Sequence, residues 1–148
     1  MSNIPASNPN QPNDEIYLTD RWSHLNKLEK KYLKEAMKTY DKIIKSKDDI
    51  LKIANRYQLN SEDIERAKQY AFGKGVLQNK FIPDLRMAQS WERMALGEEI
   101  NSDEVLLKHE ILESDLVINQ GLNQLDAHKI AQNEYPWSII ITKGDKQK

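Results

Sequence analysis

Four side chains in the last third of the sequence have the types and spacing for proton or metal chemistry: His109, Glu110, Glu113 and His128. The first three fall in Leu106-Leu107-Lys108-His109-Glu110-Ile111-Leu112-Glu113, a stretch of good helix formers. Four residues apart, His109 and Glu113 lie one above the other on a helix face, and Glu110 is turned about 100° from His109 around the axis. This is the logic of the zinc-peptidase helix His-Glu-x-x-His, with Glu113 standing where the second histidine would be. His128 follows in Leu125-Asp126-Ala127-His128-Lys129-Ile130-Ala131. A turn at Gly121 makes the two helices an antiparallel hairpin. His109 is twelve residues before that glycine, Glu113 eight before and His128 seven after. Glu113 is therefore level with His128, and His109 is offset by about one helical turn.

Three kinds of chemistry fit this set. In the first, His109, Glu113 and His128 hold a divalent metal (zinc, manganese or iron) with Glu110 as general base. In the second there is no cofactor. His109, His128 and Glu110 work as acid and base, and Arg86 steadies a phosphate, as in cyclising ribonucleases. In the third, a buried His–Glu contact ties two helices together and Glu110 is merely exposed. The third histidine, His24, reads as a boundary residue beside Trp22 and Leu25. Asp84, Arg86, Ser90, Trp91 and Arg93 share a fourth helix, where Trp91 reads as core and the arginines as partners of Asp84 or Glu92.

The elements that must position these groups are all helical. Apolar residues Trp22, Leu25, Leu28, Tyr32, Ala36, Tyr40, Ile43 and Ile44 recur every three or four positions, which predicts a long first helix over Thr19–Lys45. Its other face carries Lys27, Lys30, Lys31, Lys34, Lys38 and Lys42, broken by acids, and reads as a solvated face. A second helix is expected over Asp48–Tyr57 and a third from an N-cap at Ser61 to Phe72. Ala54, Gln58 and Ile64 have helix-turn-helix spacing, but Glu62, Asp63 and Glu65 would repel phosphates, so the unit reads as packing. Gly73–Ile82 reads as a loop. A fourth helix starts near Pro83 and ends at Gly97, a fifth spans Asp103–Asn119 behind Asn101 or Ser102, and a sixth spans Asn123–Glu134. Ser138–Thr142 reads as an apolar tail laid on the core, since a lone strand would have no partner.

The chain has 148 residues, suited to one core, with 39% hydrophobic and 30% charged residues and only five glycines and five prolines. A formal net charge of −1 supplies no field to recruit nucleic acid or anionic membrane. Without cysteine there are no disulfides, thiol nucleophiles or cysteine zinc sites. Met1–Asn13 lacks a basic n-region and an apolar h-region, so no signal peptide is expected, and no apolar run approaches a membrane span. Residues 1–14 read as a disordered leader or linker, residues 15–143 as a single helical domain and 144–148 as a frayed tail. Such a leader suits a domain carried at the C-terminal end of a larger parent chain.

The stretch Ile82–Trp137 also carries a recurrent pattern. It runs Pro83-Asp84, Ala88-Gln89-Ser90-Trp91-Glu92-Arg93 and Gly97, then Leu107-Lys108-His109-Glu110-Ile111-Leu112-Glu113. After these come Gly121, Ala127-His128-Lys129-Ile130-Ala131 and Tyr135. This pattern resembles C-terminal modules of bacterial polymorphic toxins and toxin-like extensions of phage structural proteins. The resemblance implies a toxin or effector acting in the bacterial cytoplasm, delivered from another cell, and a cognate immunity protein as partner. The expectation is an all-α fold of about six helices, with a long first helix and a C-terminal helix hairpin. The leading functional reading is a hydrolase built on His109, Glu110, Glu113 and His128. A nuclease acting on RNA or DNA is favoured slightly over a metallopeptidase, because Arg86, Arg93, Lys108 and Lys129 suit a phosphate-bearing substrate. The alternative is a non-enzymatic helical interaction module, such as an immunity, adaptor or phage structural protein.

Overall fold

The computed structural model describes residues 26–73 and 83–143. Among them are seven α-helices and no strand: α1 Lys27–Lys45, α2 Asp49–Tyr57, α3 Ser61–Phe72, α4 Leu85–Leu96, α5 Asn101–Ser114, α6 Gln124–Glu134 and α7 Trp137–Lys143. The fold is all-α, with the first helix the longest of those described. The expectations for the leader, His24, Trp22, Leu25, the 74–82 loop and the 144–148 tail fall outside the described residues.

Local chemistry sets the helix ends. Asn26 caps α1, accepting from Glu29 N while the Glu29 carboxylate accepts from Asn26 N, a reciprocal capping box. Asn60, not Ser61, caps α3: its side chain accepts from Glu62 N at 2.8 Å. The turn before it is made by Gln58 in the left-handed region at φ 55°, which lets Leu59 N reach Ala54 O. Asp84 rather than Pro83 opens α4, accepting from Arg86 N, and Gly97 at φ +76° ends it as expected. Helix α5 starts two residues earlier than expected, because the Asp103 carboxylate accepts from Ile100 N and closes the first turn. Its last stretch, Asp115–Asn119, widens into a π-helical turn before Gly121. The segment expected to be an apolar tail is instead helical, α7, which restarts just after Tyr135-Pro136.

The core joins α1, α2, α3, α4 and α5 through Leu33, Met37, Tyr40, Ile53, Ile64, Phe72, Trp91, Met94 and Leu107. Phe72 meets Tyr40 and Trp91 edge-on, with ring centroids 4.8 and 5.3 Å apart. Trp91 is core, as expected. The centre is α5 itself rather than the hairpin as a unit: α5 packs on α3, α4, α6 and α7, while α6 leaves Leu125 and Ile130 exposed. The residues that α5 buries include Asp103, His109, Glu110, Glu113 and Ser114. A helix this polar can be central because most of its inward groups find partners, which makes any that does not worth locating. No helix among the described residues is long and apolar enough to cross a membrane.

Candidate functional site

Three helices converge on Glu113. From α5, His109 Nε2 lies 2.9 Å from Glu113 Oε1. From α6, His128 Nδ1 lies 3.0 Å from the same oxygen. From α3, the Tyr70 hydroxyl donates to Oε2 at 2.6 Å, and Gln124 at the start of α6 adds its amide to Oε2 at 3.2 Å. The hairpin geometry expected from Gly121 is realised: Glu113 is level with His128, and the two imidazoles meet with centroids 5.2 Å apart. His109 and Glu113 are buried, whereas the His128 side chain is 47% exposed, so the cluster opens to solvent through α6.

The hydrogen bonds fix the proton positions. His109 Nδ1 lies 3.0 Å from the Tyr135 carbonyl oxygen, which can only accept, so Nδ1 carries a proton. The Nε2 lone pair of a neutral ring would then face a carboxylate oxygen. That contact is favourable only with a proton or another cation between the two atoms. Burial resists a charge on His109, but the hydrogen bond to Glu113 and the field of Glu110 outweigh it and raise its pKa. Burial likewise opposes ionisation of Glu113, but the hydrogen bonds from His109, Tyr70 and His128 prevail and hold it below the usual carboxylate range. Glu113 is the anion of the cluster.

Glu110 is buried, only 7% exposed, which corrects the part of the structural-tie reading that left it merely exposed. The cause is the central place of α5, which buries two faces of the helix. The Glu110 carboxyl makes no hydrogen bond among the described residues. It borders a cavity of about 180 Å³ shared with Tyr40, Ala71, Asp84, Met87, Glu113 and His128. Desolvation, partly offset by His109 and reinforced by Glu113, raises its pKa well above the ordinary carboxylate range.

Arg86 lies outside this cavity. Its guanidinium grips Asp84 through Nε and Nη2 at 3.2 and 3.0 Å and sits 6.0 Å over the Trp137 ring. Arg93 is held by Asp103 rather than Glu92, at 2.6 and 2.9 Å, and Lys108 by Glu104 at 3.0 Å. Sequence reasoning did not single out Tyr70 or Gln124. Tyr70 sits among the apolar inward positions of α3 and looks like any core aromatic. Gln124 falls in a polar helix start where its partner could not be foreseen.

His109, Glu113 and His128 offer ligand atoms that all lie within 4.8 Å of one another, a set that could hold a metal ion. Ligands at 2.0–2.1 Å around a tetrahedral ion are about 3.4 Å apart. Two of the separations are already near that, and the exposed His128 ring can supply the remaining adjustment. No protein-family model matches the chain, and no curated protein or solved structure is significantly similar to it.

Proposed function

We propose that this chain is a hydrolytic effector domain of the toxin type, in which His109, Glu113 and His128 hold a divalent cation and Glu110 handles the proton of the attacking water. One observation carries the reading. Two imidazole nitrogens point at a single carboxylate oxygen, beside a cavity bordered by a buried carboxyl with no hydrogen-bond partner among the described residues. The Tyr135 carbonyl fixes the His109 ring with Nε2 directed into the cluster, the support that metal-binding histidines usually receive. Two imidazoles and one carboxylate suit zinc, iron or manganese. A cation there would polarise a substrate oxygen. Glu110 holds or releases a proton at its carboxyl, Glu113 stays anionic, and the walls of Tyr40, Ala71 and Met87 limit water around the reacting bond.

The pairing of Arg86, Arg93 and Lys108 with acids weighs against a phosphate clamp built from them, so the lean towards a nuclease rests on Lys129 alone among the cations named. A second reading has its own support. Glu113 accepts from Tyr70, Gln124 and both histidines, enough to fill its lone pairs without a metal, as a purely structural tie in a non-enzymatic helical module would require.

Inducible expression in bacteria of wild type beside Glu110→Gln, following growth and RNA integrity, separates the two. Wild type is expected to arrest growth, and the variant to lose at least about a hundredfold in activity, the usual contribution of a general acid or base. Purified wild type should carry near-stoichiometric metal that His109→Ala loses and Glu110→Gln retains. A harmless wild type sinks the toxin reading; an active, metal-free protein sinks the metal version.

A further inference from the structure

We infer that Tyr70 and Gln124 are positioning residues that restrict Glu113 to one-oxygen coordination, leaving the His109–Glu113–His128 set with an unfilled ligand position. This rests on the cation-binding reading above. A carboxylate can bind a cation through one oxygen or both, and the difference decides how many positions remain for water or substrate. Here the two oxygens are not equivalent. Oε1 faces both histidines, at 2.9 and 3.0 Å. Oε2 is occupied by the Tyr70 hydroxyl at 2.6 Å and the Gln124 amide at 3.2 Å. Those two donors fill its two lone pairs.

Chelation by Glu113 would have to break these bonds. Tyr70 is only 2% exposed, and its hydroxyl would give up a 2.6 Å bond to a carboxylate oxygen if Oε2 turned to the ion. Gln124 opens the helix that carries His128, so one element sets both a ligand and the amide that orients its neighbour. The protein then provides three ligand atoms, Nε2, Oε1 and Nδ1, one fewer than closed structural zinc sites use. Tyr70 does not border the Glu110 cavity and donates to Glu113, so it is placed to act through Glu113 rather than on substrate.

The test is titration of the metal-free full chain with Co2+, reading the visible d–d bands and the affinity by chelator competition. Wild type is compared with Tyr70→Phe and Gln124→Leu, and circular dichroism checks the fold. Gln124 is only partly buried, so its variant keeps the test available if Tyr70→Phe folds poorly. Wild type should give the intense bands of a low coordination number. Each variant should give weaker bands, as the freed Oε2 joins the ion, and about 10–100-fold weaker binding, as expected when an outer partner of a ligand is lost. Variants with wild-type spectra and affinity overturn the inference and leave the cation site standing. Weak, six-coordinate bands from wild type also overturn it. A wild type that takes up no Co2+ overturns the cation reading and the inference with it.

Discussion

Glu110 and Glu113 are three residues apart on one helix, yet their surroundings shift their carboxyls in opposite directions. Glu113 is wrapped in donors and ionises readily, whereas burial, reinforced by Glu113, makes Glu110 harder to ionise. In the metal-free protein this sets the direction of the pH dependence. A group whose folded pKa is raised contributes fully below its unfolded value and loses that contribution as pH rises through the folded one. For Glu110 the loss starts above about pH 4.3, and for His109, also raised, above about pH 6.5. Glu113, lowered, loses its contribution on acidification below about pH 4.3. Between about pH 5 and 6.5 Glu110 is therefore the member of the cluster that sets the slope. That slope approaches 1.4 kcal/mol per pH unit, or roughly 4 °C in Tm for a chain of this size. Glu110→Gln, a neutral isostere, should flatten Tm between pH 5 and 6.5 in the presence of chelator and keep the decline above it. An unchanged slope in that window would show that Glu110 is not its source.

At the scale of elements, the site depends on the angle between α5 and α6. Gly121 at φ +77° makes the turn, and a Cβ added there would meet nothing within 4 Å. Gly121→Ala should thus cost only the backbone strain, about 1–2 kcal/mol, and Gly121→Asn less, because asparagine tolerates the left-handed region. Chemical denaturation measures both; equal losses from the two variants would mean that the turn is limited by something other than φ. The sequence revealed this hairpin, since a glycine between two helical stretches fixes which positions are level, and so it also revealed the Glu113–His128 contact. It concealed the depth of α5. Inward positions held by His109, Glu110, Glu113 and Ser114 erase the apolar stripe by which a buried helix is recognised, so an exposed Glu110 stayed open as one of the readings. The helix over residues 137–143 was hidden for a different reason: Ser138–Thr142 is rich in β-branched residues, and its packing on α5 is a tertiary contact that local propensity does not show.

Across the whole molecule, a second buried polar node must be told apart from the first. Lys68 and Asp49 are each 2% exposed and 2.9 Å apart; Lys68 also donates to Ser46 O, and Trp91 Nε1 donates to the other Asp49 oxygen at 2.9 Å. The node joins the end of α1 to α2, α3 and α4. Helix α3 carries both Lys68 and Tyr70, two residues apart and so about 200° around the axis, which lets one helix serve two polar clusters on opposite faces. The groups of this node pair with one another inside the core and tie four helices together, away from the cavity that Glu110 borders. Asp49→Ala should strand a buried ammonium and an indole N–H and cost about 3–5 kcal/mol, lowering Tm by roughly 9–15 °C. Asp49→Asn with Lys68→Met removes the charge while asparagine can still accept from Trp91, and should recover more than half of that loss. Below their melting temperatures all these variants should bind Co2+ as wild type does. A loss of Co2+ affinity in Asp49→Ala would mean that the two nodes are coupled through α3, and a cost below about 1 kcal/mol would mean that the Lys68–Asp49 pair does not hold the helices together.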